Sequence, residues 1–244
     1  MHRIGWFLAL FVFVNSGVVS LADSPPKGFK SLFNGKDLTG WKVPDKDNHW
    51  KVVKGVIDYN AKGRDPLWTK DSFGDFILRV DWRLKPEKGM LHRVPYIEPD
   101  GSYRTDKKGR KIEILLNDVD SGIYLRGRPK SQVNIWCWPV GSGEVWGYRT
   151  DKKMSKEVRA GVTPKKQADK PVGEWNTFEI KMIGDRLWVK LNDVEVITKA
   201  KLPGVPASGP IALQHHGRWS EKEGRWVSPP SLVQFRNIYV KELK

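Results

Sequence analysis

The sequence is short of cysteine: Cys137 is its one thiol, so no intrachain disulfide can staple the fold. It lacks long hydrophobic runs after the N-terminus, which excludes a polytopic helical membrane protein. No long segment holds a 3.6-residue apolar period, so helices are expected to be minor. There is no dinucleotide fingerprint, no phosphate loop (Gly141-Ser-Gly143 is not followed by Gly-Lys-Ser/Thr), no Cys/His zinc spacing and no Gly-x-Ser-x-Gly elbow. Aromatic residues, by contrast, are plentiful. Twelve Trp, nine Phe and six Tyr in 244 residues exceed what a disordered chain carries and call for a core or a ligand.

The first 22 residues read as an address. Arg3 gives a positive start, residues 4–14 are apolar but too short to span a bilayer, and Ser20-Leu21-Ala22 precedes polar Asp23. This is the pattern of a secretory signal cleaved after about Ala22, leaving one domain over 23–244 that works in the periplasm or outside the cell, with no membrane contact after cleavage. Cleavage removes only Arg3 among the charged residues, so the formal charge falls from +15 to +14. Such a balance suggests a polyanion, but the Lys and Arg are scattered in loop-like stretches beside acids. With export, this argues against nucleic acid.

The mature chain reads as short alternating runs closed by turn residues. In residues 75–84, Phe76, Leu78, Val80, Trp82 and Leu84 share one face, and Arg79, Asp81 and Arg83 the other, as in a half-buried strand. Similar runs lie at 50–59, 111–116, 122–126, 132–138, 175–183, 186–191, 194–198, 210–213 and 232–241. Gly184-Asp185 and Asn192-Asp193 read as hairpin turns. These features predict an all-β, antiparallel sandwich or barrel, decorated by long excursions at 85–110 and 152–172.

Seven segments then occur in an order that resembles a known family. They are Gly28-Phe-Lys-Ser-Leu-Phe-Asn-Gly-Lys-Asp-Leu-Thr-Gly-Trp41, Leu67-Trp-Thr-Lys70, Phe73-Gly-Asp-Phe-Ile-Leu-Arg-Val-Asp-Trp82, Asp120-Ser-Gly-Ile-Tyr-Leu-Arg-Gly127, Gly173-Glu-Trp-Asn-Thr177, Gly209-Pro-Ile-Ala-Leu-Gln-His-His-Gly217 and Val233-Gln-Phe-Arg-Asn-Ile238. The resemblance, over nearly all of the mature chain, is to the 3-keto-disaccharide hydrolase domain family. It implies a concanavalin A-like lectin/glucanase jelly-roll sandwich of two curved antiparallel sheets. The implied activity is cleavage of glycosides whose glucose ring carries a ketone at C3, by hydrolysis or by elimination and hydration. A separate oxidoreductase would then install that ketone.

Residue chemistry supplies candidates for such a site. Along 131–138, Val133, Ile135 and Cys137 share one face, while Gln132, Asn134, Trp136 and Trp138 share the other. Amides bond vicinal hydroxyls and indoles cover the C–H face of a pyranose, so the second face suits a sugar platform; packing of these Trp under the 152–172 excursion is the alternative. Many relatives carry a Tyr-Glu-Val-Gln-like strand where this chain has Ser131-Gln132-Val133-Asn134, so a carboxylate is replaced by an amide. No closely spaced strand carboxylates of the retaining-glucanase kind are present.

Three-keto chemistry asks for less. The ketone acidifies C2–H, so one base and stabilisation of the enediolate suffice. His216 is the first choice for base or metal ligand, because alternation places it with Gln214, Ala212 and Pro210; His215 is retained because a strand-end bulge would exchange them. Arg126 is a candidate electrostatic partner, with Asp120 orienting it or binding a cation; a structural Arg–Asp pair is the other reading. Lys70 has the same two readings. The glycine-rich loop 141–149 carries Glu144, as proton donor or metal ligand, with Trp146 and Tyr148 as sugar contacts; Glu144 could equally pair with Arg149. No cofactor is required, and a divalent cation is compatible. The rival function is a non-catalytic carbohydrate-binding domain, for instance for anionic polysaccharide.

Overall fold

The computed structural model describes residues 24–44, 49–63 and 65–243; the expected signal segment lies outside them. The elements in chain order are β1 (Lys30–Ser31), β2 (Trp41–Lys42), β3 (Trp50–Val53), β4 (Val56–Tyr59), β5 (Leu67–Phe73) and β6 (Phe76–Leu84). There follow β7 (Met90–Pro95), β8 (Glu113–Asp118), β9 (Asp120–Leu125), β10 (Arg128–Trp136), α1 (Trp146–Arg149) and α2 (Lys156–Gly161). The last are β11 (Asn176–Ile183), β12 (Arg186–Leu191), β13 (Val194–Lys201), β14 (Gly209–Leu213), β15 (Arg218–Ser220), β16 (Arg225–Ser228) and β17 (Val233–Glu242).

Two antiparallel sheets make the sandwich. One runs β13-β12-β11-β6-β17-β4-β3, with β1 also paired to β17; the other runs β10-β9-β14-β5-β2. Strict alternation in β6 drives its packing: Phe76, Leu78, Val80, Trp82 and Leu84 are buried, and the intervening residues are half-buried. Across the ladder, Phe178 faces Val80 and Ile180 faces Leu78. These side chains meet Ile123, Leu125, Val133 and Ile135 of the other sheet in one core, each buried large apolar side chain contributing about 1.5–3 kcal/mol. The chain is thus all-β and antiparallel, as the alternating pattern predicts, and takes the jelly-roll sandwich form that the resemblance implies.

Turn chemistry sets the registers. Ile183 pairs with Arg186 around Gly184-Asp185, and Leu191 with Val194 around Asn192-Asp193, both of which take left-handed φ (52° and 65°). The expected single run at 50–59 is corrected to a hairpin: Lys54 and Gly55 both adopt positive φ, so Val53 folds back on Val56 and Trp50 stacks on Tyr59 at 4.2 Å. The excursion at 85–110 is also partly ordered, since β7 pairs with β8 in a two-stranded ribbon. That at 152–172 contains α2, capped by Ser155, whose hydroxyl accepts from the Val158 amide.

Candidate functional site

The outward face of β10, β9 and β14 forms the floor of a cleft. Alternation turns Val133 and Ile135 into the core and leaves Gln132, Asn134 and Trp136 outside; β9 contributes Asp120 and Tyr124, and the residues after β14 contribute Gln214 and His216. The β7–β8 ribbon adds His92 and Asp118. Trp138, Trp146, Lys130 and Asp151 complete the walls of a volume of about 770 Å³, within the size range of small-molecule sites.

The floor is an amide row. The Gln132 Nε2 donates to Gln214 Oε1 at 2.7 Å, to Asn134 Oδ1 at 2.5 Å and more weakly to the Ser121 carbonyl at 3.3 Å. This arrangement needs Gly122. A Cβ there would lie 2.7 Å from Gln132 Cγ and Nε2, so any larger residue would push the amide out of its row. Tyr124 lies opposite Gln132 in the ladder, and burial pushes its phenol up to about 12, which keeps the hydroxyl a donor at neutral pH.

The two indoles of 136 and 138 stack on each other, centroids 4.3 Å apart and planes 4° from parallel. Trp136 is buried, its Nε1 donating to the Gly141 carbonyl at 2.7 Å, whereas half-buried Trp138 donates to both oxygens of Asp118 at 3.1 and 3.2 Å. Trp136 therefore backs Trp138. The excursion also packs close by: Gln167, Asp169 and Pro171 line a smaller cavity of about 330 Å³ with the same two indoles, so the packing alternative describes part of the arrangement, while both indoles also line the cleft.

Two carboxyl–imidazole pairs face the cleft. Asp118 is buried, and its Oδ2 lies 2.9 Å from His92 Nδ1. Burial raises its pKa, against the opposing hydrogen bonds of His92 and Trp138. An ionised Asp118 accepts the Nδ1–H of His92, which leaves His92 Nε2 with the lone pair. The second pair is looser. His216 Nδ1 donates to the Pro229 carbonyl, so its Nε2, 3.8 Å from Asp120 Oδ2, carries the lone pair. Asp120 Oδ1 is buried with no hydrogen-bond partner. Desolvation pushes this carboxyl up to about 7, reinforced by the negative charge of Asp118 and opposed by His216. Asp120 is therefore the group beside His216 whose protonation changes near neutral pH.

Five expected site residues lie elsewhere, and their roles are corrected. Glu144 is fully buried in an ion pair with Arg149; its carbonyl accepts from the Asn134 amide, which fastens the loop along β10 and turns the carboxylate away from the cleft. Arg126 leaves strand alternation because its backbone is left-handed (φ 52°). Its buried guanidinium bonds the Gly74, Gly184 and Pro206 carbonyls and Asp75, tying loops together at one end of the sandwich. Tyr148 is buried with its hydroxyl donating to the Pro203 carbonyl. Lys70 is exposed on β5 and does not line the cleft. His215 points to the other side of the strand end from His216; burial pushes its pKa down.

The cleft also gathers residues that were not singled out as site groups. Tyr124 and Gln214 share faces with chosen residues, so alternation could have found them. His92 and Asp118 escaped because 85–110 reads as a loop, whereas the ribbon register puts His92 one diagonal step from Asp118. Lys130 and Asp151, an ion pair at 2.5 Å on the wall, carry no sequence signal. Among the described residues, no three His, Cys, Asp or Glu side chains form a group able to hold a metal ion.

The family model described as 3-keto-alpha-glucoside-1,2-lyase-like domain matches residues 28–241. Three solved structures of proteins from Parabacteroides distasonis ATCC 8503, each provisionally named a glycosyl hydrolase, are similar in fold. The first is 22% identical with a TM-score of 0.57, over 89% of this chain and 84% of that one. The second is 19% identical, TM-score 0.52, over 89% and 94%. The third is 20% identical, TM-score 0.51, over 88% and 99%. The comparison with curated proteins finds no match.

Proposed function

The chain belongs to the 3-keto-alpha-glucoside-1,2-lyase-like domain family, a carbohydrate-active family, and on that premise we propose that it is an exported enzyme cleaving the glycosidic bond of 3-keto-glucosides. The observation that carries the reading is the Asp120 carboxyl, held at about 7 and 3.8 Å from His216 Nε2 in a cleft floored by amides. A base whose pKa lies near the working pH both exists in its ionised form and drives proton transfer.

The chemistry balances as a two-step elimination followed by hydration. The Asp120–His216 pair takes the C2 proton, and the C2–H electrons form the enediolate whose O3 charge is met by the amide row and the Tyr124 hydroxyl. The C1–O bond then breaks as the C1–C2 double bond forms, and the leaving oxygen takes back the proton held by the first pair, with the Nε2 lone pair of His92 placed to relay it. Water adds across the new double bond to give the free 3-keto sugar. Trp138 and Trp146 cover the ring and the departing group. A separate oxidoreductase upstream supplies the ketone. The N-terminal 22 residues direct export.

A second reading is favoured by one observation, that β10 presents the amides of Gln132 and Asn134 to the cleft and carries no carboxylate: a domain that binds the sugar without cleaving it. Incubation with 3-keto-trehalose distinguishes the two. An enzyme releases 3-keto-glucose or its unsaturated precursor, and loses that activity in Asp120→Asn and His216→Ala. Calorimetric binding with no release in wild type would establish the binder, and unaltered turnover in both variants would remove the catalytic assignment.

A further inference from the structure

We propose that a second groove, on the free edge of the eight-stranded sheet and apart from the cleft, binds acidic polysaccharide. The groove, about 530 Å³, lies between β13 and the segment that enters α2. Lys153, Lys199, Lys201 and Arg186 line it, against one carboxylate, Glu157. Arg186 has Asp185 at 3.4 Å, while the three lysines make no ion pair among the described residues. Met154, Val158 and Ala200 form its apolar part, the first two packed on the core beneath.

The backbone aims one of these cations. Ile197 is opposite Val189 and Ala200 opposite Leu187, so β13 holds one residue more than β12 between those pairs. This bulge contains Lys199, whose φ of 52° is a left-handed value that a non-glycine residue rarely adopts. Lysines and bulges also guard exposed sheet edges, which would account for Lys199 and Lys201. It does not account for Lys153, which approaches from the facing loop, nor for a concave apolar floor between them. That floor with a cationic rim suits a sugar ring that lays its C–H face on Met154 and Val158 while its carboxylate or sulfate meets the ammonium groups. A bilayer would instead call for a projecting apolar face. The strong positive charge of the chain adds long-range attraction for such a polymer. None of this depends on the chemistry of the cleft.

The test is binding of the full-length mature protein to polygalacturonate, with neutral dextran as reference, measured by calorimetry at moderate salt. Lys153→Glu/Lys199→Glu/Lys201→Glu should weaken binding at least about tenfold, and the milder Lys→Gln set should weaken it in the same order. A variant with the same change in net charge at exposed positions elsewhere, Lys107→Glu/Lys108→Glu/Lys222→Glu, should stay within about twofold of wild type. Equal losses in the two charge-reversed proteins would overturn the proposal, as would absence of polygalacturonate binding. So would tighter binding of single-stranded DNA or anionic vesicles that depends on the three groove lysines.

Discussion

Replacing Asp120 by Asn should abolish turnover and at the same time stabilise the fold at alkaline pH. An ordinary aspartate has a pKa of 3.8; here burial raises it to about 7. Each step of one pKa is about 1.36 kcal/mol, so ionising this carboxyl in place costs up to about 4 kcal/mol more than in the unfolded chain. The Asp120 side chain is 24% exposed, and water reaching it relaxes part of that cost, so about 2 kcal/mol is the working figure. The sign follows from proton counts. Between the unfolded and folded pKa values the native state binds more protons than the unfolded state, so stability falls as pH rises from 3.8 to about 7 and then levels off. Asparagine carries no such penalty.

The assay is therefore a pair of pH series on wild type and Asp120→Asn, one of thermal unfolding and one of release from 3-keto-trehalose. Near pH 4 the melting temperatures should differ little; above about pH 8 the variant should melt about 4–8 °C higher, from about 2 kcal/mol at 2–4 °C per kcal/mol for a domain of this size. In wild type, kcat/KM should rise with pH and level off above about 7, following the ionisation of Asp120; the variant should lose about 10²–10⁴-fold. A merely structural Asp120 would give the reverse. If the variant melts lower than wild type at pH 8, or if the gap does not change between pH 4 and 8, the reasoning from burial to proton affinity fails.

Glu144→Gln should leave Arg149 charged and unpaired in the interior, at a cost of about 3–5 kcal/mol, read by chemical denaturation; a variant that melts normally but loses activity would return Glu144 to the site. Gly122→Ala brings a methyl within 2.7 Å of Gln132 and should cost about 1–3 kcal/mol of stability while weakening sugar binding, both seen in one calorimetric titration series. Trp146, half exposed at the rim, should behave oppositely: Trp146→Ala should raise KM several-fold, worth about 1 kcal/mol of lost stacking, with an unchanged melting curve. His92→Ala should lower kcat/KM and remove the partner of buried Asp118, and restoring activity with added imidazole would identify His92 as a proton carrier rather than a brace.

Period-two alternation made the sheet legible because burial enforces it residue by residue: a slip of one position in β6 would expose Phe76, Leu78, Val80 and Trp82 together. The same rule located the amide row and the side taken by His216. It failed wherever the backbone left the strand. Arg126 was read as a face residue, but a left-handed φ at the end of β9 swings it into the carbonyls of three loops. For Glu144 the sequence leaves two readings equal, a site acid or a partner of Arg149, and the structure takes the second: one backbone bond to Asn134 fixes the loop, and Arg149, five residues on, neutralises the acid. His92 and Asp118 escape for the converse reason: His92 sits in the 85–110 stretch, which shows no apolar period, and only the ribbon pairing of β7 with β8 brings it beside Asp118.

The contrast between the two surviving pairs carries the functional argument further than either pair alone. Asp118 is satisfied by His92 and by the Trp138 indole, so its charge is anchored and its partners are oriented. Asp120 has one oxygen buried without a partner and the other beyond hydrogen-bond reach of His216, an arrangement that folding alone would select against, because an unpaired buried acceptor costs about 1–3 kcal/mol. A substrate seated with its C2–H toward Asp120 Oδ2 would meet a carboxylate that no hydrogen bond already engages and whose proton affinity burial has raised, the state in which a general base is effective and a structural carboxylate, like Asp118 with its three bonds, is not.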